Sequence, residues 1–470
     1  MYFYNDANLY DLVIILLYVV FTFSIGIWAG FNVKSLREYA VGDKSFSSIL
    51  LVSTIAATWI DGGSTLSPSS NSFKYGITAL FPQLGIVLYL YIISSFIAPL
   101  MKPFLNHVSV GEIVGGMYGQ GARLITAIAA TLRSFGGLSI QIFVMGNIFN
   151  YLLPASKFEC MLISTIVLSL YSTIGGIKSV TYTDIFQTFS ILSIIPIIIY
   201  FSLKKIGGVG DFIEALPVSH TRLITDKKIL LEYAILFIYF SVPSLIPTAI
   251  QRMLMAKDVA QISTSFRVAS FILLVFFIFT IFAGLASVVL VPNIDSYYSL
   301  ICLIDSVIPP MLKGLAICGL LSILISTADS HLNVASISLT NDYLAIIFPS
   351  FSDTNLLLFS RIFSLVLGGF ALYIASNASS VLDILINIDS FWRPTVNAPL
   401  LLGLMGFRSS SRVFIIAAIT GFGTFYYSNY YKIFGDVCGV CSIGLGFITN
   451  GAMLIICHYL FKEKGGWHKP

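Results

Sequence analysis

Runs of about twenty mostly apolar residues recur along the whole chain, each long enough to cross a hydrocarbon layer as a helix. About thirteen such runs are found, centred near residues 20, 57, 87, 138, 166, 193, 239, 278, 323, 367, 393, 420 and 448. Hydrophobic residues make up 57% of the chain and charged residues 10%, where a soluble domain carries about 25% charge. So little charge leaves no polar shell for a water-facing surface, and lipid must be the solvent. The chain is therefore predicted to be an all-α polytopic membrane protein with about 13 transmembrane helices. No long polar stretch divides it, so residues 1–470 read as one membrane domain.

Several function classes fall away. A net charge of +4 without a basic block excludes nucleic acid as a partner. No P-loop, zinc-ligand spacing or nucleophile elbow stands out in the loops, so no enzyme and no organic cofactor is expected. Cys438 and Cys441 form a CxxC, but outside any strand–turn–helix context small-residue helix packing is favoured over redox chemistry. The leader Met1–Asp11 is acidic and aromatic, so the first run is expected to be a retained helix rather than a cleaved signal. Lys34, Arg37 and Lys44 in the first loop, against an acidic leader, predict an outside N-terminus and a cytoplasmic C-terminus. Arg252 is counted among the cytoplasmic charges; Lys204, Lys205, Arg222, Lys227 and Lys228 run against the rule. Tyr427, Tyr430 and Tyr431 read as interface anchors, and the inner or plasma membrane is the expected location.

Two of the runs are interrupted. The second reads STIAATWIDGGSTLSPSS (53–70), with Gly62 and Gly63 weakening the helix, Pro68 lacking an amide, and Asp61 at membrane depth. The seventh reads YFSVPSLIPTAIQR (239–252), with Pro243 and Pro247 bracketing Ser244. A helix broken in lipid is tolerated where its backbone lines a cavity or a ligand. Discontinuous helices five spans apart point to a transporter built from repeats, with ion and solute held near the midplane.

Four segments resemble the sodium:solute symporter family, which includes sodium-coupled proline, pantothenate and sugar transporters. They are REYAVGDKSFSSILLVSTIAATW (37–59), YSTIGGIKSVTYTDIFQ (171–187), IQRMLMAKD (250–258) and ISTADSHLNVASISLTNDYL (325–344), in order and at family spacing. The resemblance implies a leucine-transporter-like fold with a 5+5 inverted repeat. On this reading 9–31 is one extra N-terminal helix, 48–203 and 229–405 are the repeats, 413–461 holds two extra C-terminal helices, and 462–470 is a cytoplasmic tail. It also implies Na+ as coupling ion, bound by the carbonyls of Ala57, Ile60 and Ile323 and the hydroxyls of Ser326 and Thr327. Oxygen donors suit a hard cation; by themselves Ser326 and Thr327 also fit back-bonding to the preceding turn. Asp184 matches a family aspartate on the sodium exit route, and it equally suits the N-cap of the sixth span. Asp329, one turn from Ser326, either adds charge near the ion or pairs with His331 or a distant arginine.

The solute is expected between the two breaks. Trp59, Asp61, Gly62, Ser64, Arg133, Ser244, Trp392 and Arg393 are the candidate contacts. Arg133 or Arg393 could hold a carboxylate bidentately, with Asp61 facing an amine. Internal pairing stands as the alternative: Asp389 with Arg393 at i, i+4, or Asp61 with Arg133. Asp383 is expected near a membrane face. Residues characteristic of the sugar branch are missing after the second-span break, and Pro247 resembles the proline-type branch. The expected activity is sodium-coupled import of a small polar solute, an amino acid such as proline or a related zwitterion or carboxylate. A proton-coupled or uncoupled carrier on the same fold and a transport-deficient sensor are the rival readings.

Overall fold

Inside a bilayer every backbone polar group must be satisfied within the protein, and helix does this locally. The computed structural model describes residues 9–152, 155–378, 391–434 and 439–468, and helix dominates them. In order come α1 (Leu9–Gly30), α2 (Leu36–Val41), α3 (Ser48–Trp59), α4 (Gly62–Tyr75), α5 (Leu80–Ile92) and α6 (Val110–Tyr118). Next are α7 (Gln120–Leu152), α8 (Lys157–Gly175), α9 (Ile177–Ile206), α10 (Lys227–Ser241), α11 (Pro247–Leu254) and α12 (Val259–Leu290). The chain continues through α13 (Leu312–Leu339), α14 (Asp353–Asn377), α15 (Ala398–Leu404), α16 (Ser411–Tyr430) and α17 (Gly439–Leu460). A two-residue ribbon, Phe407–Arg408 antiparallel to Gly466–Trp467, ties the tail to the body. Among the described residues nine helical runs are long and apolar enough to cross a membrane, and the protein is a multi-pass membrane protein.

Burial sorts these helices. The run containing α13 is 94% buried over its most apolar window, whereas α1 is 17% and α14 28% buried. Small and hydroxylated residues on α13, including Gly314, Gly319, Ser322, Ser326, Ala328 and Ser330, let neighbours approach it from every side. α1, α8, α9, α3, α7 and α14 all pack on it, so α13 is the axis of the molecule.

The interruptions expected in the second and seventh runs are present. The first lies at Ile60–Asp61, just before the Gly62–Gly63 pair, because Asp61 caps a new helix there. Pro68 does not break anything: it sits inside α4, which is kept helical by its seat on α12. Ser72 Oγ donates to the Ile281 carbonyl at 2.8 Å, and a Cβ on Gly284 would fall 2.3 Å from the Ser69 carbonyl oxygen. The second interruption spans Val242–Ile246, between α10 and α11.

α1 crosses α8 at backbone contact, since a Cβ on Gly175 would lie 2.3 Å from the Gly30 Cα. Gly175→Leu is expected to destabilise the protein by about 1–3 kcal/mol through overpacking. Gly369→Ala, on open space in α14, should leave stability unchanged or slightly raised. Thermal unfolding of the two variants in the same detergent compares them directly.

Candidate functional site

The break in the second run is built by a capping box. Ser64 N donates to Asp61 Oδ1 at 2.6 Å, Asp61 N donates to Ser64 Oγ at 2.8 Å, and Ser64 Oγ donates to the Trp59 carbonyl at 2.9 Å. In an unbroken helix the Ser64 amide would bond the Ile60 carbonyl. Diverting it to Asp61 releases that carbonyl from the ladder. Gly62 N donates to Gln141 Oε1 of α7 at 3.2 Å. A Cβ at Gly62 would lie 2.8 Å from Leu324 Cδ2, so any larger residue at the start of α4 would have to push that side chain of α13 aside.

The other break is held from outside. Pro247 opens α11 at a position whose amide has no helical partner in any case. Asn397 spans the extended stretch, donating through Nδ2 to the Pro243 carbonyl at 2.9 Å and accepting from Leu245 N at 2.9 Å. Tyr89 OH donates to the Ser244 carbonyl at 3.0 Å. Neither Asn397 nor Tyr89 is singled out by the sequence. A lone Asn four residues after Arg393, or a Tyr inside an apolar run, carries no signal until the break comes to rest against it.

Beside the first break, α3 and α13 bring four oxygens together. Ser326 Oγ lies 3.3 Å from both the Ala57 and Ile323 carbonyl oxygens. Thr327 Oγ1 lies 3.2 Å and 3.5 Å from the same two atoms. Hydroxyl hydrogen bonds normally close to about 2.7–2.8 Å. Two hydroxyl protons shared among four long contacts make a cluster of acceptors larger than its own donors can satisfy. Ile60, the fifth expected ligand, is buried next to it as the C-cap of α3, its carbonyl freed as described.

Behind these oxygens lies a buried ionic cluster. Asp184 accepts a short hydrogen bond from Thr54 Oγ1, and Arg252 Nη2 is 3.7 Å from Asp184 Oδ2. Arg252 also donates to Thr58 Oγ1 at 3.2 Å and makes a short bond to Ser330 Oγ. Asp329 Oδ2 accepts from Tyr171 OH of α8 at 2.5 Å. Asp184, Asp329 and Arg252 are all fully buried. Three sequence expectations change here. Asp184 is not an N-cap, because Gly176, with φ at +53°, starts α9 at Ile177 and leaves Asp184 inside the helix. Asp329 is held by Tyr171 rather than by His331. Arg252 is no cytoplasmic loop charge but the guanidinium of this cluster, which the Gln-Arg exit motif carries inward.

The expected solute contacts divide. Trp59 is half-buried, with Tyr89 and Phe266 against its ring at 5.9 and 6.0 Å between centroids. Ser244 is buried beside them, and its hydroxyl has no hydrogen-bond partner among the described residues. Arg133, on α7, is in electrostatic reach of Asp61, Tyr89 and His331. Ser64 and Asp61 Oδ1 are occupied in the capping box, and Gly62 is buried. Trp392 is fully buried. Arg393 is drawn onto α10, its guanidinium 3.7 Å from the Tyr239 ring centre and its Nη1 donating to the Tyr239 carbonyl at 3.0 Å. Asp383, Asp389 and Cys438 lie outside the described residues.

The sequence matches the sodium:solute symporter family over residues 39–421. The chain belongs to that family. The sodium/pantothenate symporter of Haemophilus influenzae is 22% identical over 403 residues, covering 82% of each chain. The high-affinity proline transporter PutP of Bacillus subtilis is 23% identical over 380 residues, 75% of this chain and 77% of its own. In structure the chain is similar to a Na+-coupled sialic acid symporter solved in a substrate-bound, outward-open state. That similarity has a TM-score of 0.86 at 16% identity, over 99% of this chain and 100% of the other. The leucine-transporter fold expected from the motifs is thereby shared, and this family member is a transporter rather than an enzyme.

Because Asn397 satisfies both a donor and an acceptor of the second break, Asn397→Ala should destabilise the protein by about 1–3 kcal/mol. Uptake should fall further than the loss of folded protein explains. Folded yield by size exclusion beside uptake per folded molecule separates the two.

Proposed function

We propose that the protein imports a small amino-acid-like zwitterion or carboxylate together with Na+, by alternating access. The observation that carries this reading is the convergence of Ala57 O, Ile323 O, Ser326 Oγ and Thr327 Oγ1 at 3.2–3.5 Å. A hard cation holding oxygens at about 2.4 Å in an octahedral shell sets neighbouring ligands about 3.4 Å apart. The released Ile60 carbonyl supplies a fifth oxygen. All five are uncharged, and the nearby Asp184–Arg252–Asp329 cluster carries one net negative charge when both carboxylates are ionised. A monovalent cation balances it; a divalent one would leave an excess in a low-dielectric core. Asp184, at the rear of the site, suits a role on the ion's way out.

On the solute side, Arg133 offers a forked donor for a carboxylate, Asp61 an opposing charge, Ser244 a free hydroxyl and Trp59 with Tyr89 an apolar wall. This set favours a compact zwitterion over a sugar, whose many hydroxyls would need more neutral partners. Arg393 serves instead to seat the seventh run. Thirteen spans are proposed, with residues 48–203 and 229–405 as inverted repeats whose first spans are the two broken ones. The N-terminus is assigned outside and the C-terminus to the cytoplasm.

One observation favours a second reading. Asp184 Oδ1 and Asp329 Oδ1 have no hydrogen-bond partner among the described residues, so a proton could ride on the cluster in place of sodium. Uptake of pooled labelled amino acids, vitamins and sugars by proteoliposomes, under an inward sodium or proton gradient, decides between them. Stimulation by sodium alone supports the first reading, and stimulation by protons alone replaces it with the second.

Ser326→Ala combined with Thr327→Ala should abolish sodium-driven uptake while the protein still inserts and folds; sodium activation that survives would sink the site. Asp61→Asn keeps an acceptor for the Ser64 amide and loses the charge, so solute KM should rise about tenfold or more with stability intact. Asp61→Ala should lose both functions and about 1 kcal/mol of stability. Uptake kinetics and thermal unfolding of the pair separate cap from charge.

A further inference from the structure

α1 precedes the first proposed repeat; the Gly26 carbonyl takes a short hydrogen bond from Ser179 Oγ of α9, and three further polar contacts run along one stripe of α13. Asp11 Oδ1 accepts from Gly314 N at 2.7 Å, Cys318 Sγ lies 3.9 Å from the Ile14 carbonyl, and Tyr18 OH meets Ser322 Oγ at 2.6 Å. Gly314, Cys318 and Ser322 are four residues apart, and the next position on that stripe is Ser326. Matching it on α1 is Thr22, buried, whose hydroxyl has no partner among the described residues.

Each rung has a structural consequence. α13 begins after Met311, whose φ is +75° and whose side chain gives no cap, so Asp11 serves as the missing N-cap from another helix. The Ser322 hydroxyl donates to the Cys318 carbonyl at 2.8 Å, which leaves Tyr18 as donor to Ser322. Beyond Ser326 the contact resumes indirectly. A Cβ on Gly26 of α1 would strike Tyr171 Cδ2 at 2.7 Å, and the Tyr171 hydroxyl holds Asp329. α1 therefore grips α13 one turn before the Ser326–Thr327 pair and, through Tyr171, again at Asp329.

We propose that α1 is a splint for the cation site, with Asp11 and Tyr18 as positioning residues that hold α13 in the axial register where Ser326 and Thr327 face Ala57. The inference rests on the sodium-site reading above. Neither residue touches the ion or the solute; their effect is exerted on where two ligands stand.

The test is the sodium dependence of uptake in proteoliposomes. Tyr18→Phe removes one hydroxyl and should raise the sodium concentration for half-activation about fivefold, the value of one hydrogen bond. Solute KM and maximal rate at saturating sodium should not move. Asp11→Ala should act in the same direction, while Asp11→Asn, which retains an acceptor for Gly314 N, should restore the wild-type value. Trp28→Ala is the control: it removes the ring that meets Tyr182 on α9 at 5.8 Å, off the α13 stripe, and should lower thermal stability without shifting sodium activation. Unaltered sodium activation in Tyr18→Phe and Asp11→Ala overturns the splint. An equal shift in Trp28→Ala overturns it too, since any loosening of α1 would then suffice. Loss of sodium activation in the Ser326→Ala, Thr327→Ala double variant beside unaltered Tyr18→Phe condemns the splint and keeps the site. Survival in the double variant condemns both.

Discussion

Water is missing from the middle of a bilayer, and the architecture follows from how two broken helices meet that constraint. Each break frees carbonyls and amides that lipid cannot satisfy. The first is closed by its own residues, through the Asp61–Ser64 box, and by Gln141 from α7. The second is closed almost entirely by others, through Asn397 and Tyr89. In one place the repair is incomplete, and there the Ala57 carbonyl, beside that of Ile323 in the unbroken α13, meets two hydroxyls at distances too long for good hydrogen bonds. The proposed cation site is the residue of that incomplete repair.

The same logic explains why charged residues sit so deep. A lone carboxylate in the core would be costly. Asp184 of α9, Arg252 of α11 and Asp329 of α13 instead bond Thr54, Thr58, Ser330 and Tyr171, so most of their polar atoms have partners, drawn from α3, α8 and α13. Such a cluster couples the elements that supply it: moving α3 or α11 against α13 must rearrange it. A transporter that exposes one site alternately to two sides needs such a linkage between its moving and fixed parts.

α2 is tied to the helices that carry this cluster. Tyr39, Ala40 and Val41 are fully buried, and the carbonyls of Tyr39 and Ala40 are caught by Asn333 of α13 and Gln251 of α11 at 3.3 and 2.8 Å. Gln251 and Asn333 are themselves bonded at 2.6 Å. The Gln-Arg pair at the end of the broken seventh run thus has two jobs, Gln251 anchoring α2 and Arg252 compensating buried acid.

By itself the sequence determined the solvent, the helical class, the two interrupted runs and the family, because each is written in local order. Apolar length decides that a segment enters lipid, and Asp-Gly-Gly or Pro-x-x-x-Pro inside such a segment marks where it fails. The family resemblance likewise implied Ala57, Ile60, Ile323, Ser326 and Thr327, and the Ser326 and Thr327 hydroxyls lie 3.2–3.5 Å from the Ala57 and Ile323 carbonyls. Partners distant in the chain were invisible to that reading. Arg252 looked like a loop charge, Asp184 and Arg393 each carried two readings that local order left open, and Asn397, Tyr89 and Tyr18 looked like ordinary residues of apolar runs. Which of many polar side chains meets a given orphan group depends on how α1 and α8 come to rest against α13, and α10 against α5. That is decided by packing across the whole bundle, through glycines such as Gly30 and Gly175, and no window of sequence contains it.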